Sequence, residues 1–142
     1  MAGEFEIGDQ TYDNVALVNF APYTCVDIDA SNSGAITTAV LQATTATEVL
    51  GVCYDQSKLT PAGAVAPNSA VAVRTFGIAR VKAHAAITVG AYVAVAFTDG
   101  TVGPATHTAG GTAPAPILGR ALVSASGIGD NLLVLLMIGA RY

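Results

Sequence analysis

Histidine and aspartate are the side chains of this sequence that could hold a metal ion or transfer a proton. His84 and His107 are the only histidines, and neither has a Cys, Asp, Glu or His two to four residues later, as a local metal site would require. Asp27 and Asp29 lie two apart on a predicted strand, so both side chains point to one face. Such a pair can bind a cation or do acid–base chemistry, but it more often marks the solvated face of an edge strand. We therefore predict no metal site and place both histidines in exposed loops.

The sequence also lacks the patterns that position a nucleophile or a nucleotide. It contains no Gly-x-Ser-x-Gly elbow and no evident pairing of a Cys with a His. Residues 127–129 lack the third glycine and the helix of a dinucleotide fingerprint, and no Lys-Ser or Lys-Thr follows residues 110–111. Cys25 and Cys53 lie in apolar runs and are too few for a disulfide framework, so we predict buried thiols rather than a bridge. These observations predict a protein that is not an enzyme and binds no cofactor.

Strands are the elements that the sequence predicts for most of the chain. Apolar residues recur at every second position, and Gly, Pro, Asn and Asp bound the runs, which is typical of short half-buried strands. Since alanine favours helix, residues 35–46 are the stretch in which one short helical turn or segment stays open. Loops are predicted before Asn14, at residues 55–69 and at residues 103–116. The predicted strands are residues 15–20, 24–28, 48–54, 71–76, 78–83, 91–97, 118–124 and 132–138.

A weak internal repeat accompanies these strands. Residues 24–28 can be laid over residues 93–97, and residues 50–53 over residues 118–121. In both copies a loop and a further strand follow, and that strand ends just before Gly77 or Gly139. Two interpretations stay open, a duplicated strand unit and chance matches among strands rich in Ala and Val.

The distribution of charge divides the chain into an acidic part and a basic part. Of the 142 residues, 52% are hydrophobic and 11% are charged, with a net charge of -4. Eight of the ten acidic residues precede residue 56, whereas all six basic residues follow it. One interpretation is that charged residues were placed on strand faces without regard to their position in the chain. The other is electrostatic pairing between the two parts, within one subunit or across a subunit contact.

Composition excludes two classes of partner. A pI near 4.8 repels phosphate, so we expect no nucleic acid partner. The longest apolar run, residues 132–138, is far shorter than the roughly 20 residues of a membrane-spanning helix, so we expect no membrane partner. The first residues carry acids and no apolar core, which predicts synthesis in the cytoplasm without an export signal.

The chain from Val73 onward resembles the phage capsid cement or head decoration proteins, which are small β-rich proteins on the outside of icosahedral heads. About half of the chain carries the resemblance, and the order of the matching segments is more specific than any one of them. The segments are Val73-Arg74-Thr75-Phe76-Gly77-Ile78-Ala79-Arg80-Val81-Lys82-Ala83, residues 86–93, Asp99-Gly100-Thr101-Val102, residues 117–122 and residues 132–138.

The resemblance implies an all-β fold in a small single domain, either a β-barrel or a β-clip or β-tulip-like fold. It implies a virion protein made in the host cytoplasm that binds the major capsid protein on the outer surface of the head. Such proteins act as homotrimers, or as monomers grouped around three-fold positions, and cement neighbouring subunits; we expect a homotrimer. The high hydrophobic fraction agrees, since it leaves more apolar surface than a small monomer exposes. A β-barrel module for a small ligand or carbohydrate, and a small enzyme, are the alternatives.

The first 13 residues are predicted to form an extended N-terminal arm ahead of a domain at residues 14–142. One interpretation is a frayed chain end. The other is that the arm adds a strand to the sheet edge of a capsid subunit, where main-chain hydrogen bonds and alternate apolar side chains give affinity and fit. Apolar and acidic residues alternate in the arm, and the candidate capsid-binding residues are Glu4, Phe5, Glu6, Ile7 and Tyr12.

Overall fold

Short strands form the regular secondary structure in the part of the chain that the structure describes. The structure is a computed structural model, and it describes residues 9–14, 21–28, 39–42, 49–54, 69–96, 99–105 and 116–138. These ranges contain no helix, and therefore none long and apolar enough to cross a membrane. The strands are β1 (Asp9–Asn14), β2 (Cys25–Ile28), β3 (Ala39–Gln42), β4 (Gly51–Cys53), β5 (Ser69–Arg74), β6 (Ile78–Lys82), β7 (Tyr92–Val95), β8 (Val102–Pro104), β9 (Gly119–Ala121) and β10 (Asn131–Leu136).

The all-β class predicted from the alternation of apolar residues is confirmed. Seven of the eight predicted strands overlap β2, β4, β5, β6, β7, β9 and β10. The eighth, at residues 15–20, lies outside the described residues, as do residues 55–68 of one predicted loop and residues 106–115 of another.

Local preference misled the prediction where strand pairing decides the structure. Residues 39–42, within the stretch for which a short helical segment had stayed open, form β3, which pairs with β1 and β2. Residues 103–104, predicted as the start of a loop, belong to β8. Residues 9–13, assigned to the arm, belong to β1. Bonds to neighbouring strands outweigh the roughly half a kcal/mol per residue by which local helix preferences differ.

The ten strands form two five-stranded sheets. In the first sheet the pairings run β1-β3-β2-β4-β5 and return to β1, with all neighbours antiparallel except β1 and β3. In the second sheet the order is β6-β10-β9-β7-β8, and all neighbours are antiparallel. The described chain is therefore not a single closed barrel but two successive sheets of equal size.

The two sheets repeat one arrangement of strands. Matching β1 to β6, β5 to β10, β4 to β9, β2 to β7 and β3 to β8 reproduces four of the five strand pairings of the first sheet. The parallel contact of Asn14 with Val40, between β1 and β3, recurs as the isolated parallel bridge of Ala83 with Val102 at the ends of β6 and β8. The structure thus favours the duplicated unit over chance similarity. We call β1–β5 the first unit and β6–β10 the second unit.

Backbone hydrogen bonds fix the alignment of the two units. Tyr23 N–H donates to the Cys53 carbonyl at 2.9 Å, and at the equivalent place Gly90 N–H donates to the Ala121 carbonyl at 2.8 Å. The predicted match of residues 50–53 to 118–121 agrees with this alignment. The predicted match of residues 24–28 to 93–97 is wrong by two positions, since the structural equivalent of Thr24 is Ala91.

A glycine occupies the same tight contact in both units. A Cβ atom on Gly51 would lie 2.6 Å from the Arg74 carbonyl oxygen, and one on Gly119 would lie 2.0 Å from the Leu135 carbonyl oxygen. Val73 and Val134 supply the equivalent side chain in each contact. The spacing of neighbouring strands at these points therefore admits only a residue without a side chain.

The buried core joins the two sheets. Leu132, Val134 and Leu136 point inward from β10, while the residues between them are exposed. Cys25 of β2 and Val52 of β4 belong to the same buried cluster as these second-sheet residues. Because β4 is buried along its whole length, both faces of this part of the first sheet are covered.

Main-chain contacts at the junction hold the second sheet against the start of β2. Cys25 N–H donates to the Gly100 carbonyl at 2.8 Å, and Lys82 N–H donates to the Tyr23 carbonyl at 2.9 Å. Gly100 has a φ of 72°, and a Cβ there would lie 2.6 Å from the Cys25 carbonyl oxygen. The turn between β7 and β8 consequently requires glycine at its contact with the first sheet.

Substitution of Gly119 by alanine is expected to destabilise the protein, because the new methyl group would push β9 away from β10. Overpacking of this kind costs about 1–3 kcal/mol, which corresponds to a melting temperature lowered by about 3–10 °C. Thermal unfolding followed by circular dichroism measures the change. Gly127→Ala is the control, since a Cβ there has no atom within 4 Å. Equal melting temperatures for the two variants would refute the packing argument.

Cys25 and Cys53 are expected to react with thiol reagents only after unfolding. Neither forms a disulfide and both are fully buried, and burial raises the pKa of the Cys25 thiol, so its reactive thiolate is scarce at neutral pH. A chromogenic disulfide reagent should modify both thiols at once in denaturant and slowly in native buffer. Rapid reaction of both in native buffer would contradict their burial.

Candidate interaction surface

One exposed face of the second sheet combines aliphatic side chains with arginines. Ile78, Leu133 and Leu135 are 48%, 39% and 42% exposed. Leu135 lies between Ile78 of β6 and Arg120 of β9, and Leu133 lies opposite Arg80. Residues directly opposite on neighbouring strands share a face, so these side chains form one continuous surface. We call the five residues the outer face.

Tyrosine rings and a carbonyl group orient the two arginines of the outer face. The Arg80 guanidinium lies 5.5 Å from the centroid of the Tyr23 ring, and that of Arg120 lies 6.0 Å from the centroid of the Tyr92 ring. Arg120 Nε also donates to the Gly90 carbonyl at 2.9 Å. This bond uses one of the five N–H donors of a guanidinium. Arginines held over aromatic rings are among the residues that contribute most to protein interfaces.

A third arginine borders the outer face where the first sheet ends. The Arg74 guanidinium lies 4.0 Å from the centroid of the Tyr54 ring and donates from Nη1 to the Ile78 carbonyl at 2.8 Å. The charged residues of the outer face itself, Arg80 and Arg120, are both cationic. The surface is therefore chemically suited to a partner that offers aliphatic groups beside carboxylates.

The two aspartates of the described second unit are engaged within their own turns. Asp130 accepts hydrogen bonds from the Ser126 hydroxyl at 2.5 Å and the Ser126 N–H at 2.8 Å, which lower its pKa. For Asp99, desolvation by burial acts to raise the pKa, but hydrogen bonds from Thr101 and the charge of His84 outweigh it, and the pKa is lowered. Both carboxylates are therefore ionised at neutral pH.

The candidate residues for metal or proton chemistry do not converge in the described part of the chain. There, no group of three His, Cys, Asp or Glu side chains could hold a metal ion. His84 follows β6 and is half-buried, not exposed as predicted, and its backbone N–H ties this segment to the Val102 carbonyl at 2.7 Å. Asp27 lies in β2, whereas Asp29 and His107 lie outside the described residues.

The predicted arm residues are only partly within the described chain. Glu4, Phe5, Glu6 and Ile7 lie outside it. Tyr12 lies in β1, opposite Val71 of β5. The predicted arm boundary at residue 13 therefore falls inside a strand whose backbone is already paired with β3 and β5.

The outer face was not anticipated from the sequence. Residues 131–136 of β10 include five consecutive apolar residues, so the pattern does not distinguish a solvent face from a core face. The alternation of Ala79 and Val81 with Arg80 and Lys82 on β6 was the available signal. Combined with the pairing of β6 and β10, it assigns Leu133 to the exposed side.

Asp99 is expected to make the stability of the protein depend on pH. Because its pKa is lower in the folded state, its ionised form stabilises the fold above the unfolded pKa of roughly 3.9, and this contribution disappears as pH falls through the folded pKa. Asp99→Asn keeps an oxygen acceptor for Thr101 but removes the charge. Urea unfolding from pH 7 to pH 3 should show wild type more stable than the variant at neutral pH and the difference shrinking in acid. A difference independent of pH would contradict this role.

Comparison with known proteins identifies a similar fold. No protein-family model matches the chain, and no curated protein matches it. Among solved structures, the chain is similar to the N base of head fiber gp8.5 of bacteriophage phi29, with a TM-score of 0.65 and 18% sequence identity. The match covers 91% of this chain and 92% of the other. The chain therefore shares the fold of that base across nearly its whole length.

Proposed function

We propose that this chain is a structural protein of a phage head, which binds the outer surface of the shell and cements neighbouring subunits of the major capsid protein. The observation that carries the proposal is the fold shared with the base of a phage head fiber over nine-tenths of both chains. The segments from Val73 onward that resemble head decoration proteins support it independently. In this role the protein has no enzymatic activity and is made in the host cytoplasm before it joins the virion.

Cementing requires many contacts of moderate strength rather than one reactive site. A copy that touches two neighbouring capsid subunits holds them together, because release of one contact leaves the other in place at high effective concentration. The surface chemistry supports this mechanism, since aliphatic side chains beside oriented arginines are typical of interface centres. The proposed assembly is a homotrimer around local three-fold positions, in which each copy contacts the shell.

The segment before β1 is the proposed capsid-binding arm. Its residues Glu4, Phe5, Glu6 and Ile7 alternate acidic and apolar side chains, as a strand added to a sheet edge requires. Tyr12 belongs to β1 and pairs within the chain, so the arm that reaches the shell comprises residues 1–8. Its acids favour a basic rim on the capsid subunit.

The purified protein is expected to bind undecorated, expanded phage heads in a cosedimentation experiment. Binding should saturate at a fixed number of copies per head, because specific sites on the shell are limited. A variant lacking residues 2–8 should bind more weakly and keep the melting temperature of wild type, since the deletion stops before β1.

Two outcomes of the experiment are decisive. Absence of wild-type protein from the sedimented heads would refute the proposed function. Unchanged binding of the deletion variant would leave the function standing and show that the shell contacts the folded sheets instead of the arm.

A further inference from the structure

The strands that carry the outer face supply it with cations and with no carboxylate. β6, β9 and β10 contain no Asp or Glu. Asp99 and Asp130, the aspartates in the described part of the second unit, accept hydrogen bonds within their own turns. Arg80 and Arg120 therefore present positive charge on a surface that is otherwise aliphatic.

Exposed side chains extend this surface beyond the five residues of the outer face. Leu122 is 40% exposed, and its N–H donates to the Leu133 carbonyl at 2.8 Å, so it lies beside that residue. On the β6 side, the Arg74 guanidinium donates to the Ile78 carbonyl and lies over the Tyr54 ring. A continuous apolar surface bordered by oriented charged groups is typical of a protein-binding site.

The outer face of a second copy does not fit this surface. Contact between two outer faces would bring Arg80 and Arg120 of one copy against the same two arginines of the other, and their strands offer no carboxylate. Burial of cations without anionic partners opposes association. The surface fits a partner whose aliphatic side chains are accompanied by carboxylates, because a guanidinium binds a carboxylate through two parallel hydrogen bonds.

The segment before β1 leaves the folded chain at the border of the outer face. β1 begins at Asp9, whose backbone lies opposite Arg74 of β5, and Arg74 in turn contacts the Ile78 carbonyl. Residues 1–8, when fully extended, span about 26 Å. An arm that starts at this border can therefore contact a second region of the shell while the outer face contacts the first.

We propose that the outer face is a second capsid-binding site, which takes a segment of the major capsid protein that carries aliphatic side chains beside carboxylates. The arm carries Glu4 and Glu6 and requires a basic rim, whereas Arg80 and Arg120 require an acidic one. Sites of opposite charge bind different regions of the shell, and the length of the arm lets these regions lie on neighbouring subunits. The inference rests on the proposed function and supplies the two contacts that cementing needs.

Cosedimentation with undecorated, expanded heads tests the outer face through a matched addition of charge. Leu135→Glu removes an aliphatic contact and places a carboxylate beside Arg120, so it should weaken head binding at least about tenfold. Ile128→Glu adds the same charge at an exposed turn before β10, outside the outer face, and should bind as wild type does. Equal binding of the two variants would overturn the proposal.

Salt concentration separates the charge of Arg120 from its packing. Arg120→Gln removes the positive charge and should bind heads more weakly than wild type at low salt. The ratio of the two dissociation constants should fall between about 50 and about 500 mM salt, because counterions screen the pairing that the variant has lost. A ratio that does not change with salt would refute the pairing with carboxylates.

The stability of the heads tests whether each copy bridges two subunits. At concentrations that saturate the heads, wild type should raise the temperature at which they break down. Leu135→Glu and the variant lacking residues 2–8 should raise it less at equal occupancy, because each retains one contact and does not link two subunits. Equal stabilisation by all three proteins would refute the bridging.

A measurement on wild type alone completes the test and needs no folded variant. Arg80 and Arg120 are exposed, so both should react with phenylglyoxal in the free protein. On decorated heads both should be protected, as measured by mass spectrometry of the released peptides. Unchanged reaction on the heads would place the capsid contact elsewhere.

Other results would assign the outer face to a different occupant. A lower mass of Leu135→Glu in light scattering, with head binding intact, would assign the face to a contact between copies. Stronger head binding after removal of residues 2–8 would assign it to the arm of the same chain. Absence of wild-type protein from the sedimented heads would refute the proposed function itself. Bound wild type with equally bound Leu135→Glu would leave that function standing and overturn only the role of the outer face.

Discussion

The close backbone contact between the second unit and the start of β2 is the constraint on which the rest of the structure depends. The Gly100 carbonyl and Cys25 N–H bond at 2.8 Å, and the surrounding backbone leaves no room for a side chain at Gly100. Thr101 donates two hydrogen bonds to the Asp99 carboxylate, and these bonds fix the turn that contains Gly100. This turn holds the Gly100 carbonyl against Cys25, where the two sheets meet. Cys25 and Val52 consequently belong to the buried cluster of the second sheet, while Val26, Cys53 and Val73 are buried outside that cluster.

Duplication explains how one strand arrangement supplies two different surfaces. Both units need glycine where β4 or β9 crosses its neighbour, at Gly51 and Gly119, because the same backbone approach recurs. The backbone contact does not restrict the next residue of each strand, and its side chain differs between the units. Val52 is buried in the core, whereas Arg120 is exposed. Packing therefore keeps the backbone geometry the same in both units, while the side chains next to the glycines differ in chemistry.

Alternation of apolar residues was sufficient to predict the strands that have one solvent-exposed face. On β6, Ala79 and Val81 alternate with Arg80 and Lys82, and the strand was placed to within one residue. The prediction failed for β3 and β8, whose residues are strands because neighbouring strands pair with them. It also missed the outer face, since only the register of β10 against β6 separates Leu133 from the buried residues beside it. Pairing information of this kind is non-local and is not contained in any single segment.

The low content of charged residues is reflected in aliphatic side chains that stay on the surface. The junction between the sheets covers Cys25 and Val52 of the first sheet, whereas the outer face of the second sheet is exposed. This face retains Leu135 and Ile78 in solvent, which is unfavourable for an isolated monomer. At Arg120 a cation stands where the first unit has the buried Val52, so the same position of the repeat serves the core in one unit and meets solvent in the other.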